Sequence, residues 1–150
     1  MFEIREHNIL ISTDKSKLQI NVIHHYLSNY SYWAVGIPIQ TVQKSIDNSI
    51  AFGVYLDKDD TVKQIGFCRV VSDLATYAYL ADVFILEDFR GKGLSKLLVE
   101  KVLKHPDLQG LRRWVLATKD AHGLYAQYGF TALDQPENFM QIKVENPYQV

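Results

Sequence analysis

Between Ser49 and Leu86 the sequence carries three runs rich in apolar, β-branched and aromatic residues, SIAFGVYL, VKQIGFCRVVSD and TYAYLADVFIL. The first two are separated by the polar turn Asp57–Thr61, the last two by Leu74 and Ala75. A parallel connection needs a crossover of a dozen or more residues, so links this short predict an antiparallel meander. The third run leads into Arg90-Gly91-Lys92-Gly93-Leu94-Ser95 and then into a segment with Leu94, Leu97, Leu98 and Val102 on one helical face. That helix is expected to end near His105, because Pro106 cannot continue it.

The flanking elements follow from the same patterns. Ile9–Ser12 reads as a strand, with Phe2–Arg5 as a candidate first arm of a hairpin. Thr13 and Asp14 offer an N-cap for a helix carrying Leu18, Val22, His25 and Tyr26 and ending near Ser28. Tyr30–Pro38 is aromatic and holds both Gly and Pro, so it reads as a loop. A second helix spans about Ile39–Asn48. Trp114–Thr118 predicts a short strand, Asp120–Tyr128 a short helix, and FTAL with FMQIKV a final strand pair. The expected fold is α/β in the α+β sense: one domain over residues 1–150, with a mostly antiparallel mixed sheet, about four helices and the order βααβββαβαββ.

Composition narrows function. With 47% hydrophobic and 22% charged residues in 150, the chain can bury a sizeable core without metal or disulfide support. Sixteen Lys and Arg against seventeen Asp and Glu leave a net charge of -1, too little positive field to hold a nucleic acid. The lone Cys68 allows no intrachain disulfide and no Cys/His metal set, so no metal is expected. No stretch reads as a membrane span or secretory leader, which makes the cytoplasm the expected location.

The Gly-rich turn is the most informative motif. Between a strand and a helix, its amides form an open helix N-terminus suited to phosphate, and Arg90, Lys92 and Lys96 add positive charge. A P-loop would need Gly-x-x-x-x-Gly-Lys-Ser/Thr, which is missing. A Rossmann turn would need Gly where Lys96 stands and an acid where Leu111-Arg112-Arg113 lies.

The turn instead resembles the Arg/Gln-x-x-Gly-x-Gly/Ala motif of the GNAT N-acetyltransferases, with Ser95 in place of the usual small apolar residue. Ala121-His122-Gly123-Leu124-Tyr125-Ala126-Gln127-Tyr128-Gly129-Phe130 resembles the family's Ala-x-x-Leu-Tyr-x-x-x-Gly-Phe. The resemblance implies the acyl-CoA N-acyltransferase fold and an acetyl-CoA co-substrate. Its pyrophosphate would lie on the amides from Arg90 to Ser95, and its pantetheine arm on the main chain of Phe84, Ile85 and Leu86. Tyr125 matches the tyrosine that protonates the departing thiolate. Thr118 stands where the family often has an Asn that binds the CoA arm.

A proton must also leave the acceptor ammonium. Strict alternation puts Leu80, Asp82, Phe84 and Leu86 on one strand face, making Asp82 a carboxylate among apolar neighbours and a candidate base. His122, Tyr32, Trp33, Tyr77 and Tyr79 are candidates for acceptor binding. The implied reaction is direct acetyl transfer to a primary amine, with a small molecule as expected partner and a homodimer left open. The alternative is a non-catalytic acyl-CoA-binding regulatory module.

Overall fold

The computed structural model describes residues 1–149. The sheet has six strands in chain order: β1 (Glu3–Glu6), β2 (Ile9–Ser12), β3 (Ile50–Lys58), β4 (Thr61–Ser72), β5 (Tyr77–Ile85) and β6 (Arg113–Val115). Every neighbouring pair is antiparallel except β5 and β6, which run parallel. The helices are α1 (Ile20–Asn29), α2 (Ile39–Asp47), α3 (Leu94–Leu103) and the short α4 (His122–Ala126). The meander thus forms where the short links require it, with the hairpin β1–β2 added at one edge.

Two apolar layers sandwich the sheet. On one face α3 sinks Leu94, Leu98, Val99 and Val102 against Phe52, Ile65, Val70 and Leu80. Each such side chain contributes about 1.5–3 kcal/mol of transfer free energy. On the other face Ile23 and Leu27 of α1 and Val42 and Ile46 of α2 pack on Ala51, Phe67 and Phe84.

Helix α1 begins later than its N-cap signal suggests. The Asp14 side chain accepts from the Ser16 amide, but it caps only a single 3-10 turn at Lys15–Lys17. Leu18 is then extended, and the helix restarts at Ile20 because Gln19 is fixed from across the sheet. The Gln19 amide donates to the buried Gln64 Oε1 at 2.7 Å, and the Gln64 amide donates to Gln19 Oε1 at 3.1 Å. The buried face is consequently Ile23 and Leu27 rather than Val22 and His25.

The final strand pair does not form among the described residues. The strand predicted over Trp114–Thr118 is shortened to Arg113–Val115, and residues 130–133 and 139–144 have no ladder partner. A strand needs a paired edge as well as the right residue pattern, and these segments share none in one copy of the chain.

At the end of α3, His105 is buried between Phe2 and Phe52, with ring centroids 5.1 and 5.7 Å away, and its Nδ1 accepts from the Asp107 amide. Burial pushes its pKa below the ordinary histidine value. As pH falls through about 6.5 the unfolded chain takes up this proton before the folded one, so stability is full above that pH and declines below it. Thermal melts from about pH 8 down to 5 should show this decline, and His105→Gln should flatten it.

Candidate active site

The site starts where β5 and β6 part. The two strands pair over three positions, Tyr77↔Arg113, Ala78↔Trp114 and Tyr79↔Val115, and then diverge. On the other side of β5, the ladder to β4 passes from Phe67↔Phe84 to Arg69↔Ala81, so β5 holds one extra residue there. This is a β-bulge, which bends the strand and sharpens its twist. Asp82 sits in it with φ +56°, a backbone region that costs a residue other than Gly about 1–3 kcal/mol.

Two donors hold the strained residue. Arg69 Nε on β4 donates to Asp82 Oδ2 at 2.6 Å, and Trp33 Nε1 donates to Oδ1 at 2.8 Å. The bulge breaks the alternation read from sequence. Leu80 belongs to the α3-side core, whereas Asp82 turns toward Trp33 on the α1–α2 side. Asp82 is therefore the anion of a half-buried ion pair, and the apolar face expected around it is replaced by Arg69, Trp33 and Tyr79.

The bulge and the splayed strands open two adjoining clefts. One, of about 650 Å³, lies between Leu80–Val83 and Leu116–Asp120 and is walled by Arg69, Tyr79 and Tyr148. The other, of about 750 Å³, runs along Val83–Arg90 to Ser95 and is walled by Tyr26, Lys63 and Leu124. Six residues line both: Tyr32, Trp33, Val83, Asp120, Ala121 and Tyr125. The loop between α1 and α2 straps this junction to both sides. Trp33 bonds to β5 through Asp82, and the Tyr32 hydroxyl accepts from the Lys119 amide at 2.8 Å.

Tyr125 lies at the junction, 7% exposed on α4 and packed edge-on to Phe130. Among the described residues its hydroxyl has no hydrogen-bond partner. Burial, reinforced by Cys68, Tyr32 and Asp120, pushes its phenol up to about 12. The ring therefore carries its proton at any physiological pH and has it free to donate. Cys68 is fully buried in β4, and burial raises its thiol as well, so it is unsuited to nucleophilic attack.

At the far end of the larger cleft, Gly91 and Gly93 both adopt φ +77°, and Gly93 caps α3. An added Cβ would meet nothing within 4 Å at either position, so glycine is needed there for the backbone conformation. The first amides of α3, at Leu94 and Ser95, lie beyond this left-handed cap without intrahelical acceptors. Leu94 itself turns into the core, and Lys92 lies over the Phe89 ring at 5.7 Å.

Several expected contacts change. The Arg90 side chain is used internally, with Nε donating to the Ile85 carbonyl and Nη2 to the Tyr26 hydroxyl, both at 2.9 Å. Leu86 offers no free main-chain group, since its amide donates to the Ile65 carbonyl and its own carbonyl accepts from Phe89. Alternation then turns the Ile85 amide toward the cleft. Thr118 lines the smaller cleft, but its Oγ1 already accepts from the Ala121 amide.

Tyr79 joins the smaller cleft, whereas Tyr77 is exposed at the start of β5 and outside both. His122 also lies outside both, facing a groove behind α4. Sequence reading missed Arg69, Asp120, Lys63 and Tyr148. Asp120 had a signal, since it directly precedes the tyrosine motif, but it read only as a helix start.

A family model for the acetyltransferase (GNAT) domain matches residues 48–132, which hold the meander, the Gly turn and Tyr125. A Xanthomonas campestris protein of known structure, assigned to the GNAT family as an acetyltransferase, shares 50% identity. It superposes with a TM-score of 0.89 over 95% of this chain and 97% of its own. An assigned acetyltransferase of Gibberella zeae is 29% identical over 79% of this chain and 76% of its own. A GNAT family acetyltransferase from Elizabethkingia anophelis, solved with acetyl-CoA bound, shares the fold at 16% identity with a TM-score of 0.61, over 94% of this chain and 91% of its own.

Proposed function

The chain belongs to the GNAT family of acetyltransferases, and from that premise we propose that it moves the acetyl group of acetyl-CoA onto a primary amine, with both substrates bound at once. The observation that carries this reading is the meeting of two clefts at Tyr125, whose hydroxyl has no hydrogen-bond partner among the described residues. The larger cleft takes the donor. Its pyrophosphate lies on the Leu94 and Ser95 amides, where orphan N–H groups and the helix dipole favour anions. Lys63 adds positive charge on the cleft wall. The Ile85 amide meets the pantetheine arm, placing the thioester near Val83 and Tyr125.

The smaller cleft takes the acceptor. Its volume of about 650 Å³ suits a small molecule, and Tyr32 and Trp33 of the strap line it. In transfer the amine nitrogen attacks the thioester carbonyl carbon, and the C–S bond breaks as the tetrahedral adduct collapses. Tyr125 gives its proton to the leaving sulfur, and the surplus ammonium proton leaves by way of Asp120, the carboxylate that lines both clefts. Asp82, already held by Arg69 and Trp33, serves to fix the indole at the junction.

Asp120→Asn should raise KM for the amine, or lower kcat, by about tenfold while leaving acetyl-CoA affinity unchanged. Initial rates with both substrates varied, together with calorimetric titration of acetyl-CoA, test this. Unchanged amine kinetics would remove Asp120 from the proposal. Mass spectrometry after incubation with acetyl-CoA alone tests direct transfer, and a stoichiometric acetyl adduct on the protein would contradict it.

A further inference from the structure

Behind α4, two grooves of about 570 and 500 Å³ run together along β6. Both lie between the backbone that starts at β6 and the segment Phe130–Leu133, sharing Trp114 on one wall and Phe130, Thr131, Ala132 and Leu133 on the other. Among the described residues neither wall pairs with another strand on the side facing the slot. The slot is thus flanked by two lengths of backbone with free hydrogen-bonding edges and floored by apolar side chains.

The same chain carries a strand-like segment with no place to go. In Phe139-Met140-Gln141-Ile142-Lys143-Val144, apolar and polar residues alternate in part, yet Met140 is 98% and Ile142 101% exposed, and Val144 is exposed too. Burying each of these side chains would contribute about 1.5–3 kcal/mol, which this arrangement forgoes. The segment is anchored in its own chain on both sides. Arg113 lies over the Phe139 ring at 4.9 Å, and Tyr148 packs beside Gly36 and the α1–α2 core. Between these anchors it stands off the body of the protein.

We propose that residues 139–144 fill the slot of a second copy of this chain, while that copy's segment fills this one. The exchange is isologous: each protomer offers one strand and one slot, so a two-fold dimer satisfies both and pairs the two edges that flank the slot. A six-residue strand is about 20 Å long, and sinking two of them buries on the order of 2,000 Å², enough for a stable dimer. The slot shares Ala117, Thr118 and Tyr125 with the acceptor cleft, so the incoming strand braces the wall that carries Tyr125.

Light scattering after gel filtration should give twice the chain mass of 17.3 kDa, and amide exchange should show protection over residues 140–144. Met140→Asp/Ile142→Asp should reduce the mass to one chain and abolish that protection with the circular dichroism spectrum unchanged, because these side chains are exposed within their own chain. A wild-type protein at single-chain mass, with or without protection, would overturn the proposal. So would a dimer that survives the double substitution, or one whose 140–144 amides exchange freely. Mass and protection are read without acetyl transfer, so this outcome is independent of the proposed reaction.

Discussion

Tyr125→Phe is expected to lower kcat by about 100-fold while acetyl-CoA affinity stays within about twofold, because the change removes one proton and leaves the packed ring. The ring is 7% exposed and packs on Phe130, so phenylalanine preserves the fold. The lost hydroxyl has no other partner among the described residues, so its removal orphans no buried group. A free thiol has a pKa of about 8.5, which makes donation from a phenol raised to about 12 uphill in water. Burial of the thioester in the same cleft raises the leaving thiol too and narrows that gap. The phenol keeps its proton until pH rises through about 12, so Tyr125 sets no alkaline limb below about pH 10. Rate should instead rise with pH as the acceptor ammonium loses its proton. Steady-state pH profiles of wild type and Tyr125→Phe check this, and a wild-type limb near pH 9 that vanishes in the variant would contradict the raised phenol.

Ser95→Asp should separate helix stability from donor binding. Ser95 is the second residue of α3 after the Gly93 cap, where a carboxylate favours the helix dipole by about 0.3–1 kcal/mol. The same carboxylate would lie on the wall of the donor cleft, where the pyrophosphate is proposed to sit. At about 5 Å and an effective dielectric of roughly 20–80, each pair of charges repels by about 1–3 kcal/mol. Thermal stability should stay level or rise, while acetyl-CoA affinity falls by at least about tenfold. Calorimetric titration beside a melting curve reads both. Undiminished affinity would move the pyrophosphate away from this turn.

The parts legible in the sequence were those decided by local pattern. The antiparallel run β3–β5 followed from links too short for a crossover, and the α3 turn from glycines that both take φ +77°. Tyr125 was singled out only by its match to the family's tyrosine motif, and the Tyr32–Trp33 segment by its aromatic, Gly- and Pro-containing loop composition. What escaped depends on contacts distant in sequence. The Asp82 bulge adds one residue to β5 and reverses the face that alternation assigns, and only the partner strand reveals it. Arg69 became visible as the partner of Asp82 once β4 lay beside β5. His122 is three residues from Tyr125, yet the direction of a five-residue helix points it to the groove behind α4. The start of α1 was set by Gln64, 45 residues beyond Gln19. FMQIKV has the composition of a strand, but composition names no partner.

The central claim is acetyl transfer at the junction of the two clefts, and the release of CoA thiol from acetyl-CoA across a panel of small primary amines tests it most directly. At least one amine should drive thiol release and form an equimolar acetyl-amide, with release in the absence of amine near background. Tight binding of acetyl-CoA with no amine-dependent release across the panel would contradict the account.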